Sequence, residues 1–243
     1  MKLIGIIPAR MDSSRFPGKP LKKIKNKTML EWVVEGSRST LLDRIVVATP
    51  DKEIYDRMSE LNVECVMTSI DHERASDRTQ EAVEIIERME NIRFDIVVMI
   101  QGDEPMIKPH MIDRALEPVI GGAYRISNLM QIISDSDWRD PGEVKVVVNE
   151  HSEAVYFSRE PIPSEKKYTS PFNKFKQVCI IPFERKLLDE YSSMKPTLLE
   201  VIESIDMLRL IENKIQIKMV LTDDITFSVD TESDLKRVEN IIL

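Results

Sequence analysis

Short aliphatic, β-branched runs alternate with longer amphipathic stretches through the first half of the chain, and this rhythm restricts the fold more than any other feature. Residues 2–8 (KLIGIIP), 44–50 (RIVVATP), 63–68 and 94–100 (FDIVVMI) are strand-length apolar runs with the continuous apolar character of strands buried on both faces. Between them, 29–40, 52–61 and 76–89 have the length and patterning of helices. In the last, Ala82, Val83, Ile85, Ile86 and Met89 recur near a 3.6-residue period. Buried strands alternating with helices predict a parallel sheet covered on both faces.

The pattern changes in the second half. Residues 124–133, 144–148 and 154–158 read as strands without helices between them, which predicts a mixed or antiparallel portion. A loop rich in proline and lysine covers 159–175. A strand at 177–182, helices at 184–191 and 198–211, and a strand at 215–221 follow. The last segment, 231–242, reads as a helix with Thr231 as N-cap. No internal repeat, low-complexity tract or linker interrupts the 243 residues. The chain therefore reads as one α/β domain with a mostly parallel, mixed central sheet flanked by helices and a smaller antiparallel extension. Residues up to about 120 form its nucleotide-binding half and about 121–243 its extension.

Charge narrows the choice of partners. Lys and Arg number 34 against 42 Asp and Glu, a formal net charge of −8, the opposite of the basic surface that nucleic-acid binding requires. An anionic ligand must instead meet a local cluster of cations. Cys65 and Cys179 lie in separate apolar runs without metal-ligand spacing, as expected of free thiols in a reducing compartment. No apolar run approaches the ~20 residues of a membrane span, and the apolar start is too short for a signal peptide. A cytoplasmic protein without membrane contact is the expectation.

Ligands of open parallel sheets gather at the carboxyl ends of the strands. The first strand runs into ARMDSSRFPGKP, which places Arg10, Arg15 and Lys19 on one loop with Ser13, Ser14 and Gly18 beside them. Three cations there suit a triphosphate. The loop is not a Walker A motif, because Pro20 follows Gly18-Lys19 where Ser or Thr would open a helix. The fourth strand ends in Gln101-Gly102-Asp103-Glu104-Pro105, where a carboxylate could serve as a Mg²⁺ ligand or merely cap the next helix. The best second carboxylate is Asp230 in Ser228-Val229-Asp230-Thr231, which taken alone reads equally as an N-cap. His72, His110 and His151 lack zinc-site spacing, and no nucleophile-elbow or Cys/His signature occurs. Glu200, Glu203 and Asp206 recur every third residue, the pattern of a solvated acidic stripe.

Taken together, IIPARMDSSRFPGKPL at 6–21, QGDEPMI at 101–107, VKVVVN at 144–149, VYFSREPIP at 155–163, LLEVIESIDMLR at 198–209 and SVDTESDL at 228–235 resemble the 3-deoxy-manno-octulosonate (Kdo) cytidylyltransferases over nearly the whole chain. The resemblance implies a Rossmann-like nucleotidyltransferase fold, a homodimer, and Mg²⁺-dependent transfer of CMP from CTP to the anomeric hydroxyl of an acidic sugar, as used in lipopolysaccharide biosynthesis. It implies that Arg10, Arg15 and Lys19 hold the triphosphate. Ala9, Ser13, Arg74, Ser76, Arg78 and Gln101 would complete the nucleotide site, and Asp103 and Asp230 would bind the metal. Gln101, Arg159, Gln177, Glu203 and Asp206 would face the sugar acid. Attack on an α-phosphorus needs in-line geometry, neutralised charge and a polarised hydroxyl, so no dedicated protein base is required.

The chain departs from the family pattern in three places. The family's His-Ser-Gly-Thr-Asp/Glu-Arg is His72-Glu73-Arg74-Ala75-Ser76-Asp77-Arg78 here. Its Lys-His-Ile-Gly-Ile-Tyr is Lys176-Gln177-Val178-Cys179-Ile180-Ile181, and its Glu-Gln pair is Asp206-Met207. Ala75 and Arg74 are expected to reshape the nucleotide pocket, while the lost hydrogen-bonding groups cluster on the acceptor side and the phosphate and metal positions are retained. The expectation is a retained reaction with an acceptor other than plain Kdo, such as a modified octulosonate, a nonulosonate or a phosphonate. A nucleotide-binding protein without catalysis is the alternative of a different class.

Overall fold

The computed structural model describes residues 1–13, 15–168 and 170–242; Ser14 of the expected phosphate loop lies outside them. The strands are β1 (Leu3–Pro8), β2 (Lys23–Ile24), β3 (Lys27–Thr28), β4 (Arg44–Thr49), β5 (Cys65–Met67), β6 (Ile96–Ile100), β7 (Ser127–Ile132), β8 (Lys145–Val148), β9 (Ala154–Ser158), β10 (Phe175–Val178), β11 (Ile180–Glu184) and β12 (Lys218–Thr222). The helices are α1 (Met29–Gly36), α2 (Lys52–Glu60), α3 (Ala75–Glu90), α4 (Pro109–Ile120), α5 (Asp135–Arg139), α6 (Arg185–Ser193), α7 (Leu198–Glu203), α8 (Met207–Glu212) and α9 (Glu232–Ile241).

All six residues of β1 are buried, and β1 is the central strand of the first sheet, ordered β11-β6-β1-β4-β5. Its pairings with β4 and β6 are parallel, and only β11 runs antiparallel, against β6. Burial on both faces explains why β1 and β6 read as unbroken apolar runs. Each Ile or Val so buried contributes about 1.5–3 kcal/mol. The second sheet, β12-β7-β10-β8-β9, is mixed: β12 joins β7 in parallel and the remaining pairs are antiparallel. Its edges curl towards each other, with Ala154 N–H donating to the Ile217 carbonyl and Met219 N–H to that of Ser152. One apolar core runs through both sheets, from Ile4, Ile6 and Val97 to Met130, Phe157 and Met219.

Besides the short β2–β3 pair and α5, which were not anticipated, three differences from the sequence reading concern longer elements. The single strand expected at 177–182 is two strands in two sheets, β10 and β11, changing partner at Cys179, whose carbonyl receives the Gln101 N–H. One short apolar run carries no mark of such a change. The helix expected at 198–211 is broken at Ser204, which takes a left-handed φ of 55°. Helix α4 was not anticipated: Pro109 opens it and Pro118 lies inside its last turn, although Met111, Ile112, Ala115, Leu116 and Val119 form a clear buried face. No helix among the described residues is long and apolar enough to cross a membrane.

Candidate active site

The carboxyl ends of β1 and β6 open into a cavity of about 400 Å³ whose wall draws on both halves of the chain. The loop after β1 is shaped by its own backbone. Met11 N–H donates to Asp51 Oδ2 at 2.7 Å, and Gly18 N–H donates to the Met11 carbonyl at 2.9 Å. Gly18 sits at φ 70°, a left-handed turn that glycine adopts without Cβ strain. Pro20 then starts a short 3₁₀ turn at Lys19–Leu21, which points Lys19 inward. On the opposing loop, a Cβ on Gly102 would lie 2.9 Å from the Pro8 carbonyl. Only glycine permits this approach, and it brings Asp103 against the phosphate loop.

The two expected metal carboxylates converge on one cation. Lys19 Nζ donates to Asp103 Oδ2 at 2.7 Å, to Asp230 Oδ1 at 2.9 Å and to the Val229 carbonyl at 3.1 Å. Arg15 Nη2 donates to Asp230 Oδ2 at 2.8 Å. Val229 N–H donates to the Asp103 carbonyl, which fastens the two carboxylate arms together. Among the described residues Asp103 Oδ1 is buried without a hydrogen-bond partner. Burial acts against the charged form of Lys19, but Asp103 and Asp230 outweigh it and hold its pKa above the ordinary lysine value. Thr231, not Asp230, caps α9, accepting from Asp234 N–H. Among the described residues no group of three His, Cys, Asp or Glu converges. The two aspartates could therefore supply part of an octahedral shell, leaving positions for phosphate oxygens and water, the habit of Mg²⁺.

Ala9, Arg10, Ser13, Arg78 and Gln101 line the same cavity. Arg78 is anchored through Thr68 Oγ1 and the carbonyls of Ser69 and His72. Burial, with Arg10 nearby, lowers its pKa. Arg74 and Ser76, expected beside the nucleotide, instead meet Asp206, expected beside the sugar. Arg74 Nη1 donates to Asp206 Oδ1 at 2.5 Å and Ser76 Oγ donates to Asp206 Oδ2 at 2.8 Å. Arg74 Nε also lies 3.1 Å from Glu200. Ser76 is fully buried behind the cavity wall.

The acidic stripe is not a solvated face. Glu200 is fully buried and takes Arg209 through both oxygens. Glu203, also set behind the wall, receives Ser158 Oγ, Tyr156 Oη and the Arg159 N–H. The Arg159 side chain reaches the cavity while donating to the Glu203 and Pro141 carbonyls. Gln177 lines the wall with its amide donating to Asn128 Oδ1 at 2.6 Å. Ile181 and Met207 make the adjoining wall apolar.

Further carboxylates on the wall include Glu104, read from the sequence with Asp103 as the strand-end carboxylate, and Glu143, which the sequence reading of the site did not name. Glu143 is paired with Lys176, although burial raises its pKa. Among the described residues the buried Oε2 of Glu104 has no partner, and burial pushes its pKa up to about 8. Position after a strand end marks Glu104 in the sequence. Nothing in the local sequence marks Glu143.

A family model described as cytidylyltransferase matches residues 4–219. A protein of Fusobacterium nucleatum named 3-deoxy-manno-octulosonate cytidylyltransferase is 37% identical over 244 residues, covering 100% of this chain and 97% of its own. A Leptospira interrogans protein of the same name is 38% identical, covering 98% and 94%. The solved structure of a CMP:2-keto-3-deoxy-manno-octonic acid synthetase complexed with CTP superposes with a TM-score of 0.87 at 34% identity, covering 99% of this chain and 98% of its own. A putative glucose-1-phosphate thymidylyltransferase from Bacillus anthracis, at 15% identity and TM-score 0.71, shares the fold. With a family model over most of its length and relatives above one-third identity end to end, the chain belongs to the 3-deoxy-manno-octulosonate cytidylyltransferase family.

Proposed function

We propose that this protein transfers CMP from CTP to the anomeric hydroxyl of Kdo or a closely related sugar acid, with Asp103 and Asp230 holding Mg²⁺. The observation that carries the reading is the convergence of these two carboxylates on a single ammonium, beside the cationic loop and one orphaned oxygen. Arg10, Arg15 and Lys19 bind the triphosphate, and Gln101 and Arg78 border the cytidine. Arg159 faces the acceptor carboxylate. The acceptor oxygen forms a bond to the α-phosphorus as the bond to the bridging oxygen breaks. Pyrophosphate leaves and the hydroxyl proton passes to water. The metal, when bound, neutralises phosphate charge and lowers the pKa of the attacking hydroxyl. Lys19 adds charge stabilisation that grows in the transition state.

The acceptor end favours a second reading, in which a related acid is preferred to Kdo. Ile181 and Met207 offer no hydrogen bonds there, and both oxygens of Asp206 are engaged by Arg74 and Ser76. Pyrophosphate release with Mg²⁺ and CTP, measured with Kdo and a panel of octulosonates, nonulosonates and phosphonates, separates the two. Efficient use of Kdo alone removes the second reading. Release with none of the acids, despite nucleotide binding, removes catalysis.

A homodimer is part of the same proposal. It is supported by the outward apolar face of α7, where Leu198, Val201 and Ile202 are exposed next to the acceptor wall. Light scattering should report twice the 28.1 kDa chain mass, and Val201→Glu should reduce it to one.

A further inference from the structure

The cations Lys19 and Arg15 occupy three of the four carboxylate oxygens of Asp103 and Asp230, and among the described residues only Asp103 Oδ1 is left open. Lys19 spends its ammonium on one oxygen of each aspartate, and Arg15 covers the other oxygen of Asp230. Two carboxylates and two cations make this cluster neutral. The Lys19, Asp103 and Asp230 side chains are only 13%, 19% and 21% exposed, so salt and water screen the Lys19 pairs weakly, while Arg15 is 52% exposed and more strongly screened. A divalent ion bound to Asp103 Oδ2 and Asp230 Oδ1 would face the Lys19 ammonium across a few ångströms, where like charges repel strongly. Lysine and metal therefore compete for the same acceptors.

Resting on the reading that these aspartates take the metal, we infer that Lys19, assisted by Arg15, is an internal counter-ion that makes metal binding depend on nucleotide. A triphosphate draws both cations onto its own oxygens. The same event releases the aspartates and brings phosphate oxygens to fill the coordination shell, which the protein alone supplies with two carboxylates. Metal and nucleotide each favour binding of the other, and the coupling is reciprocal. Lys19 thus has two successive partners: the aspartates before nucleotide arrives, and phosphate afterwards.

The test is Mn²⁺ binding followed by electron paramagnetic resonance, with and without CTP, corrected for chelation by CTP itself. Wild-type protein should bind Mn²⁺ at least ~10-fold more weakly alone than with CTP, within the range usual for coupled sites. Lys19→Met should bind Mn²⁺ alone at least ~10-fold more tightly than wild type, a gain abolished by adding Asp103→Asn. Lys19→Arg, which keeps the charge, should remain as weak as wild type. Thermal melting keeps folding in view, since Mn²⁺ alone should raise the melting temperature of Lys19→Met and leave wild type unmoved. Equal Mn²⁺ affinity of wild type and Lys19→Met overturns the counter-ion role and leaves the metal site standing. Failure of wild type to bind Mn²⁺ even with CTP overturns the metal reading and this inference together.

Discussion

Asp103 shows why single residues decide the chemistry. Its carboxylate is held by Lys19 on one oxygen and, among the described residues, unpartnered on the other, a costly arrangement for a buried group unless a ligand completes it. Asp103→Asn should lower turnover at least ~100-fold while the melting temperature changes little, because one charge is lost and shape is kept. Pyrophosphate release read beside a thermal melt checks this, and an active variant would remove Asp103 from the proposed metal site. Arg74 carries the second prediction at this scale. With its guanidinium on Asp206 and Glu200, Arg74→Ala should raise KM for the acceptor several-fold and leave KM for CTP nearly unchanged. A change confined to CTP would return Arg74 to the nucleotide side. Sequence position gave no guidance here, because Arg74 and Asp206 meet across 132 residues.

Among the elements, β8 and β10 place two buried lysines directly opposite each other, Lys145 against Lys176. Lys145 donates to the carbonyls of Asp140, Glu143 and Arg159, joining the loop before β8 to the end of β9 where Arg159 faces the cavity. Lys145→Met would strand these acceptors, and a loss of about 2–4 kcal/mol is expected in denaturant unfolding. A loss below 1 kcal/mol would show that water replaces the ammonium. The VKVVVN segment read correctly as a strand, yet nothing in it disclosed that its lysine points inward to bind backbone. Helix α9 was more legible, since its capping box, Thr231 with Asp234, is written in four consecutive residues. The break between α7 and α8 was not: Ser204 can continue a helix, and it turns left-handed where Asp206 meets Arg74 and Ser76, and Glu200 meets Arg209.

For the whole molecule, charge networks tie α6 to α3 and include a carboxylate whose titration bears on stability in acid. Asp189 takes Gln80, Arg93 and Arg185. Burial works to raise its pKa, but these hydrogen bonds prevail and hold it below the ordinary aspartate value. A lowered carboxylate leaves the unfolded chain binding more protons, so its stabilisation is present above about pH 4 and is lost as pH falls through the folded value. Unfolding free energy should therefore drop as pH falls below about 4, and Asp189→Asn should make that drop shallower. An unchanged slope would place the acid sensitivity elsewhere.

The sequence alone determined the buried strands, the helices between them, the cationic loop after β1, the carboxylate after β6 and the capped final helix. Each is written in neighbouring residues through hydrophobic period, turn chemistry or capping, which act over one or two turns of chain. Tertiary structure decided the division of 175–184 between two sheets, the pairing of Arg74 with Asp206, the burial of Glu200 and Lys145, and the shared grip of Lys19 on Asp103 and Asp230. These depend on side chains separated by up to 211 residues meeting where water is excluded. There the cost of an unpaired charge selects the partner, and that selection is made by the assembled cavity.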